Sequence, residues 1–450
     1  MFKKIEIWIL YIILVLFFLI LILYGSLLVH HFRSGTKFPQ LRKIAVFLAE
    51  TPSNFKQMLE KKTLNIDKLK SLPKHQGKKQ LSLVNFKEKD AILILPRYDG
   101  DLSRSVVEII DLKDFKIIHK FSHDINFMLD KINTDRIEFK NLKRDNSLSR
   151  FIYQHPIIDL EDGGLVSIGS RILFKIDICS NLIWLNQDEV FHHSISYDSN
   201  KSGFWVGGRM FPTSDLYKKH YGTNNFDYKD DAIIKVDNKG NIIFRKSIAE
   251  ILGQNNIIGQ NLFYDNSVDP IHLNDIEVAK TKSEFWDKGD LFISVRHLES
   301  IIHYRPSTDL VINYITGPFF QQHDVDIISD HEITIFNNNN TFLDNAKYSE
   351  VLIYDFIGNK FKTRFDNELV KLNFKTITGG LSETTNDNSI LLDEQNHGRL
   401  LFFDKNNFLQ WEYVNTDKKG NVYYTSWPRI IDDKTNVEKI RYFYKNKACN

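Results

Sequence analysis

Three histidines recur at matching places in the chain. His323 opens HDVDIISDHEITIFNNNN, His193 opens HSISYDSNKSGFWVGGR, and His272 opens HLNDIEVAKTKSEFWDKGDLFISVRH. Each precedes a polar turn and then an apolar strand. Each also stands four residues before an apolar or aromatic position: Tyr197, Ile276 or Ile327. A neutral imidazole can act as nucleophile or base near pH 7. Arg296 ends the strand that follows His272, and Arg209 nearly matches it after His193. Arginine beside imidazoles makes an oxyanion site, with planar donors for a tetrahedral anion. Three imidazoles could also ligate a catalytic zinc. The arginine weighs against that, because a cation beside a metal raises its electrostatic cost. A single histidine in a strand is most often structural. Three in register within a repeat need a common cause.

The elements around them supply it. From about residue 81 the chain turns to short β-branched and aromatic runs punctuated by Asp, Asn and Gly. Strands such as LVSIG, FWVGG, LFISV, ITIFN and ILLDE are each followed by a strand–turn–strand pair. The pairs are ILFKIDICSNLIWLN, AIIKVDNKGNIIFRKS, IIHYRPSTDLVINYI, VLIYDFIGNKFKTRF and LLFFDKNNFLQWEYV, and VVEIIDLKDFKIIHKF makes a sixth. Six all-strand copies, roughly 40 to 70 residues apart, predict a β-propeller of four-stranded blades. Inner strands of a propeller converge on its axis, so equivalent inner positions meet at one channel mouth. His193, His272 and His323 are expected at such positions. Within SIAEILGQ, Ser247 and Glu250 predict a capping box and Gly253 a helix end.

The N-terminus has a different character. IEIWILYIILVLFFLILILYGSLLV, Ile5 to Val29, carries one charge, Glu6, at its edge. About 20 apolar residues span a bilayer core. The run is longer than a signal-peptide h-region, and no A-x-A-like site follows, so it reads as an uncleaved anchor. Residues 30–80 read as a stalk, with a short helix expected in TPSNFKQMLEKK and a linker in KLKSLPKHQGKK. Residues 81–450 read as the propeller and catalytic domain. Lys3 and Lys4 precede the span, and Arg33, Lys37, Arg42 and Lys43 follow it, a count that leans towards a cytoplasmic propeller. The 59 Lys plus Arg nearly balance 57 Asp plus Glu, which argues against a nucleic-acid partner held by bulk charge. Two cysteines, Cys179 and Cys449, make no disulfide framework and no thiolate metal site, and a bridge between them stays open.

HHSISYDSNKSGFWV, DPIHLNDIEVA, GDLFISVRHLESIIHY, GPFFQQHDVDI and NHGRLLFFDKNNFLQWEYVN occur in this order, and together they resemble the arylsulfate sulfotransferase family. The resemblance covers roughly residues 150 to 415, across four blades. It implies a six-bladed propeller that moves a sulfuryl group from an aryl sulfate ester to a phenolic acceptor, without 3′-phosphoadenosine phosphosulfate. In agreement, the chain has no G-x-x-x-x-G-K-[ST] loop. Carried over residue by residue, the resemblance makes His323 the nucleophile, forming a sulfohistidine, with His272 and Arg296 on the sulfuryl oxygens. The remaining channel histidine is His193 or its neighbour His192; the repeat favours His193. His192, Arg209 and Asn274 are the substrate-binding candidates. No cofactor is implied. The family's extracytoplasmic habit points to a periplasmic catalytic domain on a single-pass anchor, against the charge count. KTKSEFWDKG, residues 280–289, is an insert expected to reshape the donor pocket. Two other readings remain: a non-catalytic membrane-tethered propeller that binds a sulfated or carboxylated anion, and a His-cluster metalloenzyme.

Overall fold

Runs rich in Val, Ile, Leu and Phe bury both faces, and they pair into six antiparallel sheets. The computed structural model describes residues 6–32, 38, 40–41, 44–49, 51, 73–122, 124–139, 151–221, 229–257, 269–340, 348–365, 367–446 and 449. The chain divides into two compact units, Met1–Ile66 with Gln260–Ser267, and Asp67–Gly259 with Val268–Asn450. In the first, Ile7–Phe32 is one helix. Its Ile7–Val29 stretch runs 23 residues with no charge and no buried residue. At 1.5 Å per residue that is about 35 Å, long and apolar enough to span a membrane. The helix expected in TPSNFKQMLEKK lies outside the described residues, apart from Thr51.

The second unit is a six-bladed β-propeller. Blade two runs from an inner strand Gln154–Ile158 outward through Leu165–Gly169 and Ile172–Ile176 to Leu182–Asn186. Blade three begins with Val190–Tyr197, blade four with Leu273–Val278, blade five with Val325–Ile327 and blade six with Leu381–Thr384. Each strand–turn–strand pair read from the sequence is the outer hairpin of a blade. Blade one takes its inner strand, Arg429–Ile431, from the C-terminal end of the chain, paired to Ile92–Ile94. At the other end, Leu81–Leu83 adds a fifth strand to blade six along Trp411–Tyr413. The ring is therefore closed twice.

Successive side chains on a strand point to opposite faces, and each face meets a different neighbour. Ile92 and Ile94 pack with Leu165, Ile172 and Phe174 of blade two. Leu93 and Leu95 pack with Leu391, Leu400 and Phe402 of blade six. Backbone latches run between inner strands. His155 Nδ1 accepts from Ile195 N at 3.4 Å, Ser194 Oγ from Ile276 N at 3.0 Å, Asp275 Oδ2 from Val325 N at 3.2 Å, and Asp324 Oδ2 from Ser382 N at 3.0 Å. Each latch ties one blade to the next around the axis.

The helix at SIAEILGQ forms as Ile248–Gln254, with Ser247 Oγ accepting from Glu250 N at 3.4 Å. Gly253 lies inside it rather than ending it; Asn255 is the cap. Part of the stretch read as stalk is attached to the propeller: His75 is buried, and its Nε2 lies 3.0 Å from Glu394 Oε2. Cys179 and Cys449 form a disulfide. It fastens the chain after the helix Lys434–Asn446, which buries Val437, Ile440 and Phe443 and places Arg441 2.6 Å from Asp111 Oδ2.

One expectation is corrected. The insert KTKSEFWDKG follows the end of Leu273–Val278, and His272 precedes its start. Six strand residues put about 20 Å between the two ends. The insert belongs to the opposite face, where Trp286 anchors it in the core between blades four and five. It does not border the cavity lined by His272.

Candidate functional site

The side chains of interest sit where inner strands depart from regular pairing. In blade three, Phe191 faces Gly208 and Ile195 faces Val206, so His192, His193 and Ser194 oppose Gly207 alone. In blade four, Asn274 is the extra residue between Leu273 and Asp275. Bulges of this kind re-aim side chains. His193 and His272 take left-handed backbone, φ 62° and 56°, which is uncommon outside glycine. His323 does not: it precedes its strand, and its N–H bonds Phe336 O at 2.9 Å. The three histidines are thus equivalent in where they converge and not in backbone conformation. The sequence repeat could not distinguish these cases, because a bulge changes register without changing spacing to the next strand.

Their rings meet. The His193 ring centroid lies 5.4 Å from that of His272 and 5.5 Å from that of His323. With Arg296 they line one cavity of about 710 Å³ at the end of the channel where the inner strands begin. Among the described residues, no carboxylate lines it. His323 Nδ1 and Arg296 Nε are buried and without a hydrogen-bond partner among the described residues. Arg296 is held from its other side, with Nη2 donating to Gln321 Oε1 at 2.7 Å. Burial lowers the basicity of Arg296, though a guanidinium stays charged. Burial also holds His323 and His193 well below the ordinary imidazole value, helped by His272 and Arg296 for His323 and by His192 for His193. Both are neutral at pH 7.

Behind this layer stand acids. His272 Nδ1 lies 2.8 Å from Asp269 Oδ2, which also takes Lys229 Nζ at 2.7 Å. Burial would raise the Asp269 carboxyl, but His272 and Lys229 hold it below the usual range. His192 Nδ1 is 2.6 Å from His193 Nδ1, and His192 Nε2 is 3.1 Å from Asp231 Oδ1. Arg209 Nε donates to the same Asp231 oxygen at 3.3 Å. His192 and Arg209 therefore lie behind the cavity wall. Asn274 is also away from the cavity: it is fully buried, and its Nδ2 donates to Gln322 O at 2.9 Å. Asp269, His272 and His297 form the one group among the described residues with ligand atoms within 4.8 Å of one another. A cation there would compete with Lys229 for Asp269 and with the Asp269 carbonyl for His297, whose Nδ1 is 2.6 Å from it.

Other residues escaped sequence reading. Trp427 lines the cavity, its ring 4.6 Å from His323 and 6.1 Å from His193. It lies beyond the last hairpin, where no repeat points. His397 and Gln395 line the same cavity, Gln395 Oε1 accepting from Trp427 Nε1 at 3.0 Å, and burial pushes His397 down to about 4. Gly379 beside them has φ +73°, and a Cβ there would meet Gln395 Oε1 at 2.0 Å. His155 had a legible signal. It stands about as far before LVSIG as His193 stands before FWVGG, within one residue, and the structure uses it as the blade latch.

A family model described as Arylsulfotransferase (ASST) matches residues 157–416. No curated protein matches the chain. Among solved structures, a protein of unknown function from Bacteroides caccae is 8% identical, with 76% of this chain and 100% of that chain covered and a TM-score of 0.47. A virginiamycin B lyase from Staphylococcus aureus, solved as an inactive variant with quinupristin, is 11% identical, with 76% and 90% covered and a TM-score of 0.38.

Proposed function

The chain belongs to the arylsulfotransferase family, and from that premise we propose that it moves a sulfuryl group from an aryl sulfate ester to a phenol through a sulfohistidine on His323. One observation carries the reading: three imidazoles and a guanidinium converge on a cavity that, among the described residues, no carboxylate lines. In the first half-reaction an imidazole nitrogen of His323 attacks sulfur, the S–O bond to the aryl group breaks, and the electron pair leaves on the phenolic oxygen. In the second, an acceptor phenol loses its proton to a histidine, its oxygen bonds sulfur, and the S–N bond breaks. Charge spread over the outer sulfuryl oxygens is met by Arg296 and His272. A cavity of about 710 Å³ walled by Trp427 suits a small aryl group.

The same reading makes Ile7–Val29 a membrane anchor and places the propeller outside the cytoplasm. The Cys179–Cys449 bridge supports the location, since disulfides persist in oxidising compartments. The test is release of 4-nitrophenol from 4-nitrophenyl sulfate by the full-length protein, with and without added phenol. A burst stoichiometric with protein, followed by phenol-dependent turnover, is expected. Binding of the sulfate ester without any release would leave an anion-binding propeller instead.

A further inference from the structure

We propose that Asp231 and His192 are positioning residues that fix His193 as the base for the acceptor phenol. The inference rests on the sulfuryl-transfer reading above and adds residues on the far side of the cavity wall. Asp231 is fully buried, and both its oxygens are engaged: Oδ1 by His192 Nε2 and Arg209, Oδ2 by Leu273 N at 2.9 Å. Burial would raise its carboxyl, but His192 and Arg209 hold it below the usual range, so it is an ionised acceptor. His192 Nε2 must then carry the proton it shares with Asp231. A neutral His192 has its other nitrogen, Nδ1, as a lone pair. His193 Nδ1, 2.6 Å away, is therefore the donor of that pair. Only Nε2 of His193 is left with a lone pair, on a ring that lines the cavity.

This arrangement matches what the second half-reaction needs. The phenolic proton passes to His193 Nε2 as the phenolic oxygen bonds sulfur, and the S–N pair returns to His323. The imidazolium that forms keeps its Nδ1–H on His192, whose own N–H points at the Asp231 carboxylate. The new positive charge is stabilised through one imidazole, with no net proton gained by the aspartate. Among the described residues, His192, Arg209 of blade three, His272 of blade four and His323 of blade five bear on His193 electrostatically, and Arg296, His397 and Tyr424 line the same cavity. None of these is a carboxylate, so Asp231 is the counter-charge on that side. Among the described residues, His323 has no such support at Nδ1. The two histidines are therefore built for different work.

The experiment compares the two half-reactions in full-length wild type, Asp231→Asn and His192→Asn. The burst from 4-nitrophenyl sulfate has a good leaving group and needs little proton transfer. Transfer to an unactivated phenol needs a base. In both variants the ratio of phenol transfer to burst should fall by about tenfold or more, part or all of the 10²–10⁴ that a positioned base supplies. The pH profile of transfer should shift upward towards the ionisation of the phenol itself, about 10. Parallel loss of both steps, or an unchanged profile, overturns the relay while leaving the sulfotransferase reading intact. Absence of a burst in wild type sinks that reading, and the relay with it. Should the variants not fold, nitrogen NMR of histidine-labelled wild type decides. His193 should be the Nδ1–H tautomer, and an Nε2–H form overturns the proposal.

Discussion

At the scale of single residues, the site separates groups by what each nitrogen touches. His323 offers a neutral ring whose Nδ1 has no partner among the described residues, whereas Arg296 supplies fixed charge steadied by Gln321. His323→Ala should abolish the burst, because no atom remains to carry the sulfuryl group. Arg296→Ala should keep the nucleophile and lower the rate by about 10²–10³, the usual loss of one preorganised donor. Burst kinetics on both variants checks this. Near-normal turnover in His323→Ala, with His193→Ala or His272→Ala dead, would move the nucleophile to another ring. The roles proposed for the three rings rest on the family resemblance. That the rings meet was legible in the sequence, because the repeat flagged all three histidines. Their partners were not: Asp231 lies 39 positions from His192, and nothing in either strand's pattern relates them.

At the scale of elements, the bulged start of blade four does two jobs. It turns His272 towards the axis, and it leaves Asn274 between blades, holding Gln322 beside His323. Gln322 Nε2 in turn donates to Val295 O at 3.0 Å and Ser300 O at 2.9 Å. Asn274→Ala would strand the buried Gln322 carbonyl at a cost of about 1–3 kcal/mol. A lower thermal midpoint of the propeller, with activity reduced through a loosened His323 segment, is the expected result. A raised KM at an unchanged midpoint would instead put Asn274 in contact with substrate. HLND reads equally well as a cavity motif or a packing motif, since a one-residue bulge decides which way each side chain points.

At the scale of the whole molecule, the channel has two unlike ends. Among the described residues, no carboxylate lines the histidine mouth. The opposite end gathers Asp275, Glu277, Asp324, Asp326 and Glu383 around Arg429. Burial pushes Asp275 and Glu383 up to about 7, so these two carboxyls are partly protonated at neutral pH. The ring that creates both ends is closed by strands from both ends of the propeller sequence and by a bridge spanning 270 positions. If the propeller lies outside the cytoplasm, a maleimide added to intact cells and again on denaturing lysis should label neither Cys179 nor Cys449 until a reductant is added. Labelling without reductant would place the domain in a reducing compartment and remove the main support for its location.

The sequence by itself determined what depends on near neighbours. Alternation and turn residues fixed the outer hairpins and their number, apolar length fixed the N-terminal helix, and the repeat flagged three histidines that lie in or just before inner strands. Only the tertiary structure decided what depends on closure. It made Arg429–Ile431 an inner strand, brought Trp427 against His323, turned His155 into a latch, and sent the 280–289 insert to the far face. The physical reason is that side-chain direction along a strand repeats every two residues and can be read locally. Which strands become neighbours around an axis is set by packing between faces far apart in the chain, and a single bulge changes what each residue meets there.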